Sequence, residues 1–256
     1  MMPERRQEEL LRMLAVQEYL SVDEAVLRTR ASAATIRRDF GELSARGLVL
    51  RTRGGLRRLQ AGEALPQGRA GEHGAEKAAI ARAAAALLMP EDVVLVDGGT
   101  TTAQIHRYLP AIPLKIITNS LRLASALAGE RERGLPVEVV LTGGTLEAAS
   151  GLLVGPQTVM ALEQYHAQWA LLSSSGICAD GVFNTSEFVA ESERVMIRNA
   201  ERSVVLADAS KVGRRSLCRV VGLESISGLI TVETAANRDA LKAIEGAGVR
   251  VTRLVP

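Results

Sequence analysis

The chain has 256 residues, 47% of them hydrophobic and 23% charged, with a formal net charge of +2; this balance excludes a disordered or fibrous chain. The longest apolar runs, such as residues 83–89 and Val93–Val96, fall far short of the roughly 20 residues that cross a bilayer. The charged start (Glu4, Arg5, Arg6, Glu8, Glu9) does not read as a signal peptide, so a cytoplasmic location and no membrane partner are expected. Cys178 and Cys218 lack a CxxC partner and His73, His106 and His166 are scattered, so neither a disulfide framework nor a metal site is expected.

Charge is uneven. Residues 1–60 carry 12 Arg and no Lys against 8 acidic residues, a net +4, while the rest carry 19 basic and 21 acidic, a net −2. A basic partner surface is therefore expected at the N-terminus. Arginine supplies 27 of the 31 basic residues of the whole chain, so the count alone does not establish a nucleic-acid partner.

Residues 5–16 read as an amphipathic helix with Leu10, Leu11 and Leu14 on one side. Ser21-Val22-Asp23-Glu24 is a capping box that opens a second helix, with Val22, Ala25 and Val26 as its apolar side. After Thr29-Arg30-Ala31, Ser32 caps a third helix running to about Arg46, with Gly47 as a left-handed stop. Ile36, Phe40 and Leu43 recur at i, i+4, i+7 and face inward, which leaves Ala34, Arg37, Arg38 and Gly41 outward. Small residues at the start (Ser32, Ala33, Ala34, Thr35) permit close approach to a groove, and Arg37 and Arg38 can reach phosphates or a guanine edge. Residues 48–53 then read as a strand, Gly54-Gly55 as a tight turn and residues 56–59 as the return strand. Such a hairpin is a wing, with Arg51, Arg53, Arg57 and Arg58 placed for the DNA backbone or minor groove.

Ser32-x-x-Thr35-Ile36-Arg37-Arg38-Asp39-Phe40, followed by Gly47-Leu48-Val49-x-Arg51-x-x-Gly54-Gly55, resembles the signature of the DeoR/GlpR family of bacterial transcriptional regulators. Ala31 stands where that family usually has Val, and Phe40 where it usually has Leu. The resemblance implies a DNA-binding regulator, a repressor, with a double-stranded operator as partner.

Gly-rich, aperiodic sequence over residues 61–75 reads as a linker between a winged helix-turn-helix domain, residues 1–60, and a larger domain, residues 76–256. In the latter, apolar runs at residues 93–96, 115–118, 137–141, 170–173, 204–207, 229–232 and 249–254 alternate with helical stretches. That alternation predicts a Rossmann-like α/β domain with a mainly parallel sheet. Open sheets of this kind bind ligands outside the carboxyl ends of their strands. The clearest candidate is Asp97-Gly98-Gly99-Thr100-Thr101, read as a loop opening a helix, where backbone N–H groups and hydroxyls would meet an anion such as phosphate. Comparable loops contain Asn119, Gly143-Gly144, Ser173-Ser174-Ser175-Gly176 and Asp208-Ala209-Ser210-Lys211. Lys211 stands out in a lysine-poor domain as a point-charge anchor. No P-loop and no GxGxxG fingerprint is present, which disfavours nucleotide hydrolysis and nicotinamide chemistry.

These stretches are similar to the C-terminal sensor domain of the same family, whose fold is similar to ribose-5-phosphate isomerase. The resemblance implies a phosphorylated sugar or related metabolite as effector, no cofactor, and a homo-oligomer, dimer or tetramer. Asp97 to Thr101 would then hold phosphate, beside Lys211 of an Asp-x-Ser-Lys motif. The alternative is a sugar-phosphate isomerase with an accessory DNA-binding module. Asp180 is the one carboxylate of an acidic cluster that the motifs offer, with Glu187 as a second, so binding without catalysis is expected.

Overall fold

The computed structural model describes residues 3–17, 19–45, 49–52, 54–57, 73–132, 134–148 and 150–255. Two compact units divide the chain, Met1–Glu72 and His73–Pro256.

The first unit contains α1 (Pro3–Val16), β1 (Tyr19–Ser21), α2 (Val22–Thr29), α3 (Ala33–Ala45), β2 (Leu50–Arg51) and β3 (Gly55–Arg57). Leu10, Leu14, Leu20, Ala25, Ile36, Phe40, Leu43, Val49 and Leu56 form its buried core. The predicted i, i+4, i+7 stripe of α3 is thus the face that packs inward. β1 was not expected. It has a single buried residue, Leu20, too short a pattern to register as alternation, yet it pairs with β3 to give an antiparallel sheet of order β1-β3-β2. This changes the meaning of Gly55. A Cβ there would stand 2.2 Å from the Leu20 carbonyl oxygen, so the glycine admits the neighbouring strand rather than shaping a turn. The capping box is half formed. Ser21 Oγ accepts from Glu24 N (3.1 Å), but the Glu24 carboxylate takes the Gln17 amide (3.2 Å), because Ser21 ends β1 and its backbone belongs to the ladder.

The second unit begins with α4 (Gly74–Ala85), which starts inside the stretch read as linker. Its main sheet has seven strands: β4 (Val93–Val96), β5 (Leu114–Thr118), β6 (Val137–Leu141), β9 (Ala167–Leu172), β12 (Ala200–Leu206), β14 (Gly228–Val232) and β15 (Arg250–Leu254). All neighbouring pairs are parallel, in the order β15-β14-β12-β9-β4-β5-β6. Each of the seven predicted runs is one of these strands. Buried clusters lie on both faces, one including Leu95, Ile117, Ala170 and Val205, the other Val94, Ile116, Leu171 and Val204. Such double burial is why these strands read as continuous apolar runs.

Smaller elements cover the carboxyl end. β7 (Thr145–Glu147) and β8 (Leu152–Val154) form a hairpin, and β10 (Gly176–Cys178), β11 (Gly181–Asn184) and β13 (Cys218–Val221) form a three-stranded antiparallel sheet. The remaining helices are α5 (Leu121–Glu132), α6 (Pro156–Leu162), α7 (Glu187–Arg198) and α8 (Arg238–Gly246). Among the described residues no helix is long and apolar enough to cross a membrane.

Candidate DNA-recognition face and effector crevice

Ser32 initiates α3. Its Oγ accepts from Thr35 N at 3.1 Å and lies 2.8 Å from Thr35 Oγ1. Beyond the cap, Ala34, Arg37 and Arg38 are exposed while Ala33 and Thr35 are half-buried. Neither the Arg37 nor the Arg38 side chain makes a hydrogen bond or ion pair among the described residues. Asp39, between them and the buried Phe40, faces the other way. Its carboxylate receives Arg6 from α1 through both Nε and Nη2, the latter at 3.1 Å, with Arg6 8% and Asp39 2% exposed. Gln7 Nε2 donates to Glu42 Oε2 at 2.6 Å beside it. One of the twelve N-terminal arginines is therefore a structural clamp and not part of a basic surface. In the wing Arg57 is half-exposed and Arg51 ends β2; Arg46, Gly47, Arg53 and Arg58 lie outside the described residues.

In the second unit the chain enters the sheet at β4, runs outward through β5 and β6, and returns to the other side of β4 as β9. The direction of winding reverses between β4 and β9, and the crevice at their carboxyl ends is where an open α/β sheet takes its ligand. Asp97 follows β4 there. It is 1% exposed, and its Oδ2 accepts from Ser173 N (3.1 Å) and from Ser173 Oγ across the switch. Gly98 and Gly99 fit between two walls. A Cβ on Gly98 would lie 1.9 Å from Leu152 Cδ2 and 2.8 Å from Ser120 Cβ; one on Gly99 would lie 2.1 Å from Ser173 Cβ. Close backbone approach is what these glycines supply. Thr101 is buried, and Thr102 Oγ1 donates to the Gly99 carbonyl (3.0 Å). The helical segment that follows is a six-residue 3-10 helix, Thr102–Arg107. The loop therefore offers backbone donors without an α-helix macrodipole behind them.

Asn119 follows β5, buried, its Nδ2 donating to the Leu153 carbonyl at 3.2 Å. Gly143 and Gly144 follow β6 with φ of 75° and 119°, and Thr158 Oγ1 donates to the Gly143 carbonyl (2.8 Å). Gly176 departs from its expected place. It is the first residue of β10, and a Cβ on it would meet the Arg214 carbonyl at 2.5 Å, so it belongs to the covering sheet and not to the loop. Lys211 closes a 3-10 turn, Ala209–Lys211, after β12, half-buried, its backbone N donating to the Asp208 carbonyl (3.0 Å) and its side chain without a hydrogen bond or ion pair among the described residues. The same turn is tied to α4: Ala209 N donates to Glu76 Oε2 (3.0 Å), and Lys77 Nζ stands 4.0 Å from Asp208 Oδ2. His73, Glu76 and Asp208 form a group of potential metal ligands that the sequence did not bring together. The buried Lys77 supplies positive charge at that place.

The carboxylates expected for isomerase chemistry are elsewhere. Asp180 is exposed and paired with Arg215, Nε at 2.9 Å, which holds its carboxyl below the usual range, and Glu187 is exposed at the start of α7. The carboxylate beside Asp97 is instead Glu193, which the sequence reading missed. It is 1% exposed, and its Oε1 accepts from Asn184 Nδ2 at 2.9 Å. Burial, and next the charge of Asp97, push its carboxyl well above the ordinary carboxylate range. A signal was available, since Glu193 sits four residues after Val189 and three before Met196, on the apolar face of α7. Ser175 N donates to the Phe183 carbonyl (2.9 Å), so the Ser173–Ser175 loop runs from Asp97 to the strand that carries Asn184. Within this arrangement Asp97 Oδ1, Ser174 Oγ, Glu193 Oε2 and Asn119 Oδ1 are buried without a hydrogen-bond partner among the described residues. Buried polar atoms are seldom left so; Asp97, Asn119 and Ser174 follow β4, β5 and β9, and Glu193 stands on α7.

Residues 6–61 match the family described as DeoR-like helix-turn-helix domain, and residues 72–233 that described as DeoR C terminal sensor domain. The chain belongs to the DeoR family of transcriptional regulators. This DeoR-family chain is similar to the HTH-type transcriptional regulator UlaR of Shigella sonnei strain Ss046, at 30% identity over 98% of both chains. It is equally similar to UlaR of Escherichia coli strain K12 / DH10B. Solved structures of similar fold include ribose 5-phosphate isomerase A from Methanocaldococcus jannaschii (18% identity, 55% of each chain, TM-score 0.38). A probable sor operon regulator from Shigella flexneri is another (14%, 56% of this chain and 78% of that one, TM-score 0.36).

Proposed function

We propose that this DeoR-family regulator is a repressor of carbohydrate-metabolism genes, binding its operator through α3 and the wing, and that a phosphorylated sugar or related metabolite in the strand-end crevice controls it. The observation that carries the DNA half is the exposed Arg37-Arg38 pair, whose side chains have no partner among the described residues, one turn beyond a Ser32 cap. Ser32, Ala33, Ala34 and Thr35 supply close approach, and Arg51, Arg53 and Arg57 follow the backbone from the wing. One such module makes few contacts, so a homo-oligomer on two half-sites is the expected binding species.

For the effector, Asp97, Gly98, Gly99, Thr100 and Thr101 form the tight loop, Asn119 and Gly143-Gly144 the adjoining strand ends, and Lys211 the cation for the phosphate. Gly176 is withdrawn from this set. Ligand acts by binding one arrangement of the protein better than another, and only that difference shifts operator affinity. A gel-shift titration on DNA flanking its own gene tests the reading. A salt-sensitive, sequence-selective shift that a phosphosugar relieves is expected; no selective shift at any salt overturns it. Lys211→Ala should weaken phosphosugar binding in a thermal-shift titration.

Glu193 favours a second reading, aldose–ketose isomerisation, because a buried carboxyl with a raised proton affinity is the type of group that removes a proton next to a carbonyl. Incubation with aldose and ketose phosphates in deuterated water decides. Exchange or turnover abolished by Glu193→Gln establishes an enzyme, and its absence leaves binding alone.

A further inference from the structure

We infer that the Glu193 carboxyl, with Asp97 and Asn184, forms the inner wall of the strand-end crevice and receives a neutral, hydroxyl- or carbonyl-bearing carbon of the effector while rejecting a carboxylate there. The inference rests on the phosphosugar reading for the outer end of the ligand and adds the chemistry of the inner end.

Three facts carry it. First, the wall is continuous. Asp97 is bonded to Ser173, the loop continues through Ser174 to Ser175, and Asn184 links the far side to Glu193. Secondly, the wall is unfinished. Asp97 Oδ1, Ser174 Oγ and Glu193 Oε2 are buried without partners among the described residues, each a strong acceptor or a donor-acceptor group. Water or a ligand must satisfy them, because leaving them empty costs free energy at each atom. Thirdly, the charge is fixed in sign. Asp97, 1% exposed, accepts from both the backbone and the hydroxyl of Ser173. Burial, and next the charge of Asp97, push the Glu193 carboxyl well above the ordinary carboxylate range, so the proton is assigned to Glu193.

The wall then offers one carboxylic O–H donor, a hydroxyl at Ser174, and the free oxygen of Asp97. That set matches a carbinol or a carbonyl hydrate, which donates and accepts at once. An effector carboxylate at the same place would bring a second negative charge beside Asp97, and Arg194, the cation that acts on Glu193, has its guanidinium committed to the Val220 and Arg219 carbonyls. The ligand class is accordingly a phosphate ester whose other end is uncharged, such as an aldose, ketose or polyol phosphate, rather than an aldonic acid phosphate.

Thermal-shift and calorimetric titrations of the full-length protein test this. The ligands are inorganic phosphate, ribose 5-phosphate, glucose 6-phosphate, the matching 5-phosphoribonate and 6-phosphogluconate, and the unphosphorylated sugars. At least one sugar phosphate should bind about tenfold or more tightly than its aldonate counterpart, a difference of about 1.4 kcal/mol. Asp97→Asn should narrow that ratio by improving the aldonate. Glu193→Leu should reduce sugar-phosphate affinity to that of inorganic phosphate, and Glu193→Gln, which restores a donor, should recover most of it. A carboxylic-acid band in the infrared spectrum at neutral pH, absent in Glu193→Gln, reports the proton whether or not ligand is present. Aldonate phosphates binding as well as the sugars, a Glu193→Leu protein that keeps the sugar advantage, or absence of the carboxylic-acid band overturns the inner wall. Free sugars binding as well as their phosphates would instead overturn the phosphate reading and leave the wall standing, and no binding by any of these compounds overturns both.

Discussion

Arg6 of α1 and Asp39 of α3 form a two-pronged ion pair in the interior of the N-terminal unit, with Nη2 to Oδ1 at 3.1 Å. The recognition helix is thereby fixed to α1 by charge as well as by Ile36, Phe40 and Leu43. Removing one partner of a buried pair strands the other. Asp39→Ala should therefore destabilise the N-terminal unit by roughly 3 kcal/mol. Chemical unfolding followed by a fluorophore placed on this unit would measure it. Operator binding should fall with the fold, while the thermal response to phosphosugar persists; loss of both would mean that Asp39 acts on the whole protein.

Arg38→Ala should behave differently. The side chain is exposed and makes no contact that holds the fold, so melting should be unchanged while operator affinity drops. If Arg38 meets a phosphate, affinity falls alike on all sequences and the slope of log affinity against log salt diminishes by about one. A base contact would instead cost about 1–3 kcal/mol and relax selectivity at one position. Unaltered binding would remove Arg38 from the interface.

Gly99→Ala sets a Cβ 2.1 Å from Ser173 Cβ, and Ser173 is the residue that holds Asp97. Moving that wall should cost about 1–3 kcal/mol in the second unit and abolish effector binding. DNA binding without effector should be retained. Retained effector affinity in a titration would show that the loop is not the site.

The pH dependence of stability should carry the mark of Glu193. Its carboxyl in the folded protein holds a proton to a higher pH than in the unfolded chain, through burial and the neighbouring Asp97, with Asn184 and Arg194 acting in the opposite sense. Between those two limits the folded state binds more protons, so stability is highest below the ordinary carboxylate range and declines as pH rises through the folded value. Glu193→Gln cannot ionise. Urea unfolding of the two proteins over a pH series should show their difference growing with pH and then levelling; a constant difference would mean that Glu193 holds its proton no more tightly in the folded protein than in the unfolded chain.

Glu76 connects α4 to the Lys211 turn through Ala209 N at 3.0 Å. As α4 is the first described element after residues 58–72, this contact lies on the covalent path from the crevice toward the DNA-binding unit. Glu76→Ala should leave phosphosugar affinity within about threefold, yet reduce the effector-induced loss of operator binding, a coupling that is typically worth about 1–3 kcal/mol. Equal losses in both measurements would assign Glu76 to binding.

Much of this was legible in the chain alone because it depends on local periodicity. The apolar stripe of α3 and the seven buried strands announce themselves through side-chain spacing, since the face each residue takes is set by 3.6 or 2 residues per repeat. The family signature around Arg37 and Arg38, and the Asp97 loop, are likewise contiguous in sequence. Tertiary structure decided what contiguity cannot express. β1 became a strand only because β3 lay beside it, and Gly176 became a strand residue because β11 pairs with it. Asp180, prominent in its motif, was neutralised by Arg215 at the surface, while Glu193, hidden in an ordinary helical pattern, came to lie dry beside Asp97. Proton affinity and ion pairing depend on distance and burial between residues far apart in sequence, so they are properties of the packed chain and cannot be read along it.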